Sequence, residues 1–301
     1  MAERHPVVLD TDIGSDVDDA LALAMLFGSP DVELLGVTTV YGDVAVRARI
    51  ARRLARLAGH DGLAVVPGAP RPLSGDEPWW AGFEGRLYAD LGAEAFVEGI
   101  SAPDFLVETA AARPGEVDVV AIGPLTNIAA ALRTDPAFTQ TVRHLYVMGG
   151  RFDRPDAEHN FRSDVVAAAE VFESGIPATV VGLEITTQAR LEPGDLALIG
   201  AAGALGRQLE AEVHQWWDFS GKRWNHPHDP LAVLSMVRPE LMDTRPATIR
   251  VERTGEQIGV SVAGADTAAA GPTYIVNSLD VGPAVTEMVA LIEAAGHRGP
   301  S

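Results

Sequence analysis

Residues 6–27 read PVVLDTDIGSDVDDALALAMLF, and this stretch decides the fold. The apolar run 6–9 predicts a buried strand, and the apolar pattern over 20–27 predicts a helix. Between them lies an acidic loop with five aspartates within ten residues. These are Asp10, Asp12, Asp16, Asp18 and Asp19. A strand, a loop and a helix in this order are typical of a parallel α/β sheet, in which ligands bind where strands end.

The acidic loop predicts a cation site. Carboxylates crowded into one turn repel each other unless a positive charge lies among them. All-oxygen coordination suits the hard cations Ca²⁺ and Mg²⁺. Alternatively, one Asp caps the helix and Asp18 and Asp19 interact with its dipole, but these roles need one or two acids and not five. An EF-hand loop is excluded because Gly14 would fall on a ligand position and the closing Glu is missing.

Composition narrows the function further. The 301 residues are 47% hydrophobic, which is enough for a sizeable core in one or two domains. The formal net charge of −19 argues against nucleic acid or an anionic membrane as partner. The absence of cysteine excludes disulfides and thiolate metal sites. No signal peptide and no apolar run of membrane-spanning length is found, so we expect a cytoplasmic protein.

Strand and helix patterns alternate along the chain and predict an open, mostly parallel sheet flanked by helices. Further strands are predicted at 32–40, 63–66, 117–122, 145–148 and 178–183. Helices are predicted around 46–57, 129–132, 165–174 and 285–292.

Two regions break this rhythm. Residues 70–95 are an irregular excursion that predicts a lid or a contact surface. Residues 246–263 predict a small antiparallel hairpin near the C-terminus, with its turn at Thr254-Gly255. We find no linker, and therefore expect a single domain over 1–301 with a loose tail at 297–301.

Polar clusters follow several of the predicted strands. They are Tyr41-Gly42-Asp43, Gly123-Pro124-Leu125-Thr126-Asn127, Met148-Gly149-Gly150 with Glu158-His159-Asn160, and His226-Pro227-His228-Asp229-Pro230. Together with the acidic loop and Val181-Gly182-Leu183, this series resembles the nucleoside hydrolase family, the inosine–uridine-preferring N-ribohydrolases. The resemblance spans roughly residues 6–295. It implies a Rossmann-like nucleoside hydrolase fold and hydrolysis of a small-molecule ribonucleoside to ribose and free base, in nucleoside catabolism and base salvage.

The resemblance also implies a Ca²⁺ site, with Mg²⁺ less expected. Its ligands would be the carboxylates of Asp12, Asp19 and Asp229 and the backbone carbonyl of Thr126. The ion would hold a water and the 2′- and 3′-hydroxyls of the ribose, so that Asp229 also serves substrate binding.

Other residues would hold the sugar. By the same resemblance Glu158 and Asn160 would bind ribose hydroxyls, and Met148 would lie beneath the sugar. Asp164 matches a family aspartate with a structural role. Asp43 stands where the family usually has Asn, and it either accepts a hydrogen bond from the sugar or caps the helix from Val44.

The general base has two candidates. Aligned on Asp18-Asp19-Ala20, the resemblance makes Asp18 the group that takes the water's proton. The acidic loop is longer than the commonest family form by Asp16-Val17, and alignment on Gly14 makes Asp16 the base or a ligand instead. C–N cleavage would pass through an oxocarbenium-like ribosyl cation, which negative charge around the sugar stabilises.

His228 is the candidate acid for the leaving base, because imidazole titrates in the right range. Alternatively, it only supports Asp229 through a hydrogen bond. Four aromatic residues before this pair either stack on the base or belong to the core. They are Trp216, Trp217, Phe219 and Trp224.

Base preference cannot be carried over from the family. The stretch 82–86 lacks the His before Gly that the family often carries there. Arg86 and Arg162 leave room for a charged leaving group. Family resemblance further implies a homodimer or homotetramer.

Two alternative functions remain open. A haloacid-dehalogenase-like phosphatase also places Asp-x-Asp after its first strand, but it needs a Lys at a later strand end, and the only lysine, Lys222, follows no strand. A non-catalytic, Ca²⁺-dependent ribonucleoside-binding protein would be expected to lose its base, yet Asp16 and Asp18 are both present.

Overall fold

One nine-stranded sheet organises residues 4–265 and 273–298, the part of the chain described in a computed structural model. Its strands are β1 His5–Thr11, β2 Val32–Thr39, β3 Ala64–Pro67, β4 Asp118–Ala121, β5 His144–Met148, β6 Ala178–Val181, β7 Met242–Val251, β8 Ser261–Ala265 and β9 Thr273–Leu279. Their spatial order is β3-β2-β1-β4-β5-β6-β9-β7-β8. The seven strands from β3 to β9 run parallel, and β7 and β8 complete the sheet in antiparallel pairing. The predicted fold class is therefore confirmed.

Helices cover both faces of this sheet. Those of the described residues are α1 Asp18–Gly28, α2 Val44–Leu57, α3 Ala102–Ala112, α4 Thr126–Thr134, α5 Phe138–Thr141, α6 His159–Ser163, α7 Val165–Glu173, α8 Leu183–Thr186, α9 Pro193–Ala201, α10 Gly203–Ser220, α11 His228–Val237 and α12 Val281–Arg298. Single 3-10 turns lie at Leu91–Ala93 and Pro239–Leu241. None of the described helices has the length and apolar character needed to cross a membrane.

β1 is apolar over most of its length because both of its faces are buried. Val7 and Leu9 face the core that the sheet forms with α1, α2 and α9 to α12. Val8 faces the opposite core, formed with α3, α4 and α7. This alternation follows from the two-residue period of a strand.

The strand order places the acidic loop at a switch point. The chain leaves β1 toward β2 on one side, and β4 pairs with β1 on the other. Ligands of open α/β sheets bind in the crevice outside such a reversal, at the carboxyl ends of the strands. The acidic loop follows β1, and the 123–127 cluster follows β4, so both lie at this crevice.

The C-terminal region differs from the sequence prediction in three ways. The connection between β7 and β8 contains the predicted turn residues Thr254-Gly255, but it is a long loop that spans residues 252–260. β9 was not predicted, and it pairs with both β6 and β7.

The predicted tail at 297–301 is the third difference. Helix α12 continues to Arg298, whose guanidinium donates a hydrogen bond to the Phe27 carbonyl at 3.0 Å. This contact with the end of α1 explains why the helix is longer than predicted. Residues 299–301 lie outside the described residues, and the single domain stays a prediction.

Helices α1 and α12 approach closely at Gly28. A Cβ atom there would lie 1.8 Å from the backbone oxygen of Leu291. We expect Gly28→Ala to lower the free energy of unfolding by about 1–3 kcal/mol, because the helices would have to separate. Denaturant unfolding measures this change. Gly282→Ala is the matched control, since its Cβ would meet no atom within 4 Å. Equal stability of the two variants would contradict the close packing.

Candidate active site

Three carboxylates from two helices meet at the end of β1. Asp18 and Asp19 are the first residues of α1, Asp229 is the second residue of α11, and the two helices pack together. All three side chains are buried, with at most 5% exposed. One oxygen from each carboxylate lies within 4.8 Å of the other two. The fold thus brings together acids from opposite ends of the sequence.

Burial without a counter-ion is unfavourable for this acidic cluster, the carboxylates of Asp18, Asp19 and Asp229. Burial, strengthened by repulsion from neighbouring aspartates, raises the pKa of each well above its ordinary range. The positive ends of the dipoles of α1 and α11 reduce this repulsion only in part. A divalent cation would remove it, and oxygen ligands at this spacing fit Ca²⁺.

The other aspartates of the acidic loop have different surroundings. Asp10 lies beneath the loop, where it accepts hydrogen bonds from Thr38 Oγ1 at 2.5 Å and Asn127 Nδ2 at 2.7 Å. Burial raises its pKa to about 7. Asp16 accepts a hydrogen bond from the Val17 backbone N–H at 2.6 Å, and burial raises its pKa to about 8.

Asp12 is partly exposed to the main cavity. No hydrogen bond from the described residues reaches its carboxylate, unlike those of Asp10, Asp16 and Asp19. Its oxygens are therefore free to contact a ligand, an ion or water.

A cavity of about 480 Å³ opens above the acidic cluster. Nine of the site residues predicted from the sequence line it. They are Asp12, Asp16, Asp18, Asp19, Met148, Glu158, Asn160, His228 and Asp229. This volume exceeds the lower bound for a pocket that binds a small molecule.

The predicted sugar-binding residues are rigidly held. Glu158 accepts hydrogen bonds from three backbone N–H groups, including those of Gly150 at 2.9 Å and Asn160 at 2.7 Å. The side-chain amide of Asn160 donates to the carbonyls of Ile122 at 2.9 Å and Met148 at 3.2 Å. Glu158 and Asn160 are thereby fixed across the ends of β4 and β5.

Thr126 and Asp164 form a buried pair outside the cavity lining. The Thr126 hydroxyl donates to Asp164 at 2.7 Å, and the same carboxylate accepts from the backbone N–H groups of Leu73 and Ser74. Asp164 therefore holds α4 against the segment that follows β3. Ligation of an ion through the Thr126 carbonyl stays a prediction.

Asp43 also lies outside the main cavity. It caps α2 by accepting a hydrogen bond from the Val46 backbone N–H at 3.0 Å, and it lines a neighbouring surface cavity with Trp80. The geometry favours the capping role. A contact between Asp43 and the sugar stays a prediction.

His228 lines the cavity beside Asp229. Its Nδ1 is 2.7 Å from Thr186 Oγ1. Burial lowers the pKa of His228 to about 3, so the imidazole is neutral near pH 7. His226 does not line the cavity, and its Nδ1 donates to the Ala189 carbonyl at 2.8 Å.

Only one of the four aromatic base-stacking candidates lines the cavity, and it is Trp216. Trp217 is a core residue whose Nε1 donates to Asn225. Phe219 is 51% exposed and stacks on Trp216, whereas Trp224 lies under the Arg190 guanidinium.

The irregular segment 70–95 is attached to both walls of the cavity. Ser15 of the acidic loop donates to Glu84 at 2.8 Å. The Tyr88 hydroxyl donates to the buried carboxylate of Glu212 on α10. Since Trp79 of this segment lines the cavity, its position agrees with the predicted lid.

Sequence reasoning missed Arg47, which is 1% exposed and also lines the cavity. Its guanidinium donates to the carbonyls of Tyr41 at 2.6 Å and Ile13 at 2.8 Å, which holds the acidic loop against α2. Its helical spacing with Ile50 and Leu54 was the available signal, because those residues form the buried face of α2.

Comparisons with known proteins extend over most of the chain. Residues 7–285 match the family model described as inosine-uridine preferring nucleoside hydrolase. The chain is 34% identical to uridine nucleosidase 1 of Arabidopsis thaliana over 86% of this chain and 82% of the relative. It is 36% identical to the non-specific ribonucleoside hydrolase RihC of Escherichia coli, over 92% of this chain and 94% of the relative.

A solved structure agrees with these matches. The purine-preferring ribonucleoside hydrolase from Gardnerella vaginalis superimposes with a TM-score of 0.86 at 26% identity. The superposition covers 97% of this chain and 99% of that one.

The raised pKa values of the buried aspartates should make the free energy of unfolding depend on pH. Without an ion the folded chain keeps protons that the unfolded chain releases near pH 4, because burial raises the pKa of Asp10 to about 7 and of Asp16 to about 8. The free energy of unfolding of chelated protein should therefore fall as the pH rises from about 5 to about 8. Added Ca²⁺ should raise the unfolding temperature most at the upper end of this range. Thermal unfolding with and without Ca²⁺ measures both effects, and an ion without effect at about pH 8 would contradict the site.

Proposed function

Because the chain belongs to the inosine–uridine-preferring nucleoside hydrolase family, hydrolases of N-glycosyl compounds, we propose that it hydrolyses ribonucleosides to ribose and free base in a Ca²⁺-dependent reaction. The acidic cluster at the floor of the 480 Å³ cavity carries the proposal. Family membership sets aside the phosphatase alternative. The non-catalytic alternative is tested by turnover.

The acidic cluster would hold the ion through carboxylates of Asp18, Asp19 and Asp229. Bound there, Ca²⁺ would acidify the attacking water and would hold the ribose diol so that C1′ lies near that water. Asp12 and the Thr126 carbonyl are the further ligands that the resemblance implies. From the sequence, Asp18 is expected to be the general base. In this proposal it is an ion ligand instead, because its carboxylate belongs to the cluster.

We infer that Asp12 takes the water's proton. Asp16 is engaged by the backbone N–H of Val17, and Asp18 lies within the cluster. Asp12 faces the cavity with both oxygens free of hydrogen bonds from the described residues. General-base catalysis is worth about 10²–10⁴-fold in rate. Asp16 and Asp18 remain the alternatives that the experiment must separate.

The remaining lining residues bind and stabilise the sugar. Glu158 and Asn160 are held where they can bind ribose hydroxyls, and Met148 lies at the end of β5 beneath them. The surrounding carboxylates would stabilise positive charge that develops on the ribosyl ring. His228 lines the cavity beside Asp229, and we propose that it hydrogen-bonds the leaving base.

Several features stay predictions. The names of the relatives include uridine, purine-preferring and non-specific activities, so no base preference is carried over. The homodimer or homotetramer and the cytoplasmic location rest on the sequence and the resemblance alone.

Release of reducing sugar from inosine, uridine and modified nucleosides tests the proposed function. We expect turnover by the Ca²⁺-loaded protein, a loss of at least about 10²-fold after chelation, and recovery on adding Ca²⁺. Tight nucleoside binding without turnover would favour the non-catalytic alternative. Phosphate release from a model ester without sugar release would favour the phosphatase.

Asparagine substitutions separate base from ligand. Asp12→Asn should still bind Ca²⁺ by calorimetry, because asparagine retains a ligating oxygen, and should lower kcat by about 10²-fold or more, because a proton acceptor is lost. Asp18→Asn should weaken Ca²⁺ binding, with activity partly restored by excess ion. Asp61→Asn, an exposed aspartate outside the cavity, is the control expected to change neither. Full activity in Asp12→Asn with loss of activity in Asp16→Asn would reassign the base.

A further inference from the structure

The lining of the main cavity has two chemically different parts. One part is acidic and contains the cluster, and the other part is aromatic. The aromatic part contains Tyr41, Trp79, His159 and Trp216, and Phe219 packs against both Trp79 and Trp216. If the proposed function holds, the ribose diol lies on the acidic floor, and the leaving base must lie among these rings. Any role of these rings toward the base therefore rests on the proposed function.

His159 lies in the aromatic part of the lining. It is the first residue of α6, between the sugar-binding candidates Glu158 and Asn160. Its ring packs edge-on against Tyr41, with centroids 6.3 Å apart at 90°, and against Trp79, at 6.1 Å and 83°. These contacts place the imidazole beside two aromatic rings of the cavity lining.

The ring nitrogens of His159 are available. Within residues 4–265 and 273–298 no hydrogen bond engages them, and the residue is exposed to solvent. The neighbouring Glu158 is engaged by three backbone N–H groups and makes no hydrogen bond to this ring. Tyr41 and Trp79, which pack against it, carry no charge.

The second imidazole of the cavity is placed differently. Nδ1 of His228 is 2.7 Å from Thr186 Oγ1, and the residue directly precedes Asp229 of the acidic cluster. His159 belongs to another element, α6, and packs against the aromatic part of the lining.

We propose that His159 is the proton donor to the leaving base. The C1′–N bond breaks with its electron pair passing to the base, and a ring nitrogen of the base receives the proton from His159. Water adds to C1′ and gives its proton to a carboxylate of the floor. The carboxylate then releases its proton to solvent and the exposed imidazole regains one, so the net reaction is nucleoside plus water to ribose plus neutral base.

A pair of substrates distinguishes this role from a structural one. A nucleoside that the wild-type protein hydrolyses needs protonation of its base, whereas p-nitrophenyl β-ribofuranoside releases a stable phenolate without it. We expect His159→Gln and His159→Phe to lower kcat on the nucleoside by about 10²-fold or more. Turnover of the nitrophenyl riboside should stay within about threefold, because this leaving group needs no acid.

The two variants control for packing. Phenylalanine keeps an aromatic ring between Tyr41 and Trp79 but removes the donor. Normal nucleoside turnover by His159→Phe would overturn the proposal, and so would an equal loss on both substrates. A leaving-group-dependent loss in His228→Gln, with none in the His159 variants, would assign the acid to His228 and also overturn it.

His214→Gln serves as a general control, since His214 is exposed on α10 outside the cavity. This variant should turn over both substrates at the wild-type rate.

Failure of the proposed function would give a different set of results. Wild-type protein that hydrolyses neither substrate would overturn that function together with this inference. Wild-type protein that hydrolyses both, with unchanged His159 variants, would overturn this inference alone.

Discussion

Repulsion among buried carboxylates is the constraint on which the rest of this structure depends. Asp18, Asp19 and Asp229 are held within 4.8 Å of each other with almost no exposure to water. Charges so placed are unfavourable unless a cation or protons neutralise them. The two helices whose first turns carry the aspartates are themselves packed tightly, so the acids cannot simply move apart. The arrangement favours a bound cation, and the proposed chemistry depends on that ion.

A second set of polar contacts lies beneath the cavity and fixes the acidic loop from below. Asp10 joins β1 to β2 and α4 through Thr38 and Asn127. Arg47 holds the loop from the side of α2. Asp10 and Arg47 are both buried, and Arg47 also lines the cavity. They position the floor of the cavity, which is what a reaction that depends on orientation requires.

The sequence was sufficient for the alternating fold and for most of the cavity lining, because strand ends of a parallel sheet meet at one edge. It was not sufficient to assign a separate role to each aspartate of the acidic loop. Which of Asp12, Asp16 and Asp18 joins Asp229 depends on the path of the loop backbone, and residue spacing does not determine that path. Arg47 was missed because an arginine on a helix is usually solvated. β9 was missed because its buried and exposed positions do not alternate regularly.

The order of assembly along the chain has a consequence for biosynthesis. The first helix packs against the last one, and the cluster takes its third carboxylate from a segment that is translated late. A nascent polypeptide leaving the ribosome therefore exposes its acidic N-terminal segment long before a partner for it exists. Productive collapse must await the synthesis of α11 and α12, as expected for a topology dominated by contacts between distant segments. Fragments that end before α11 would lack the third carboxylate of the cluster.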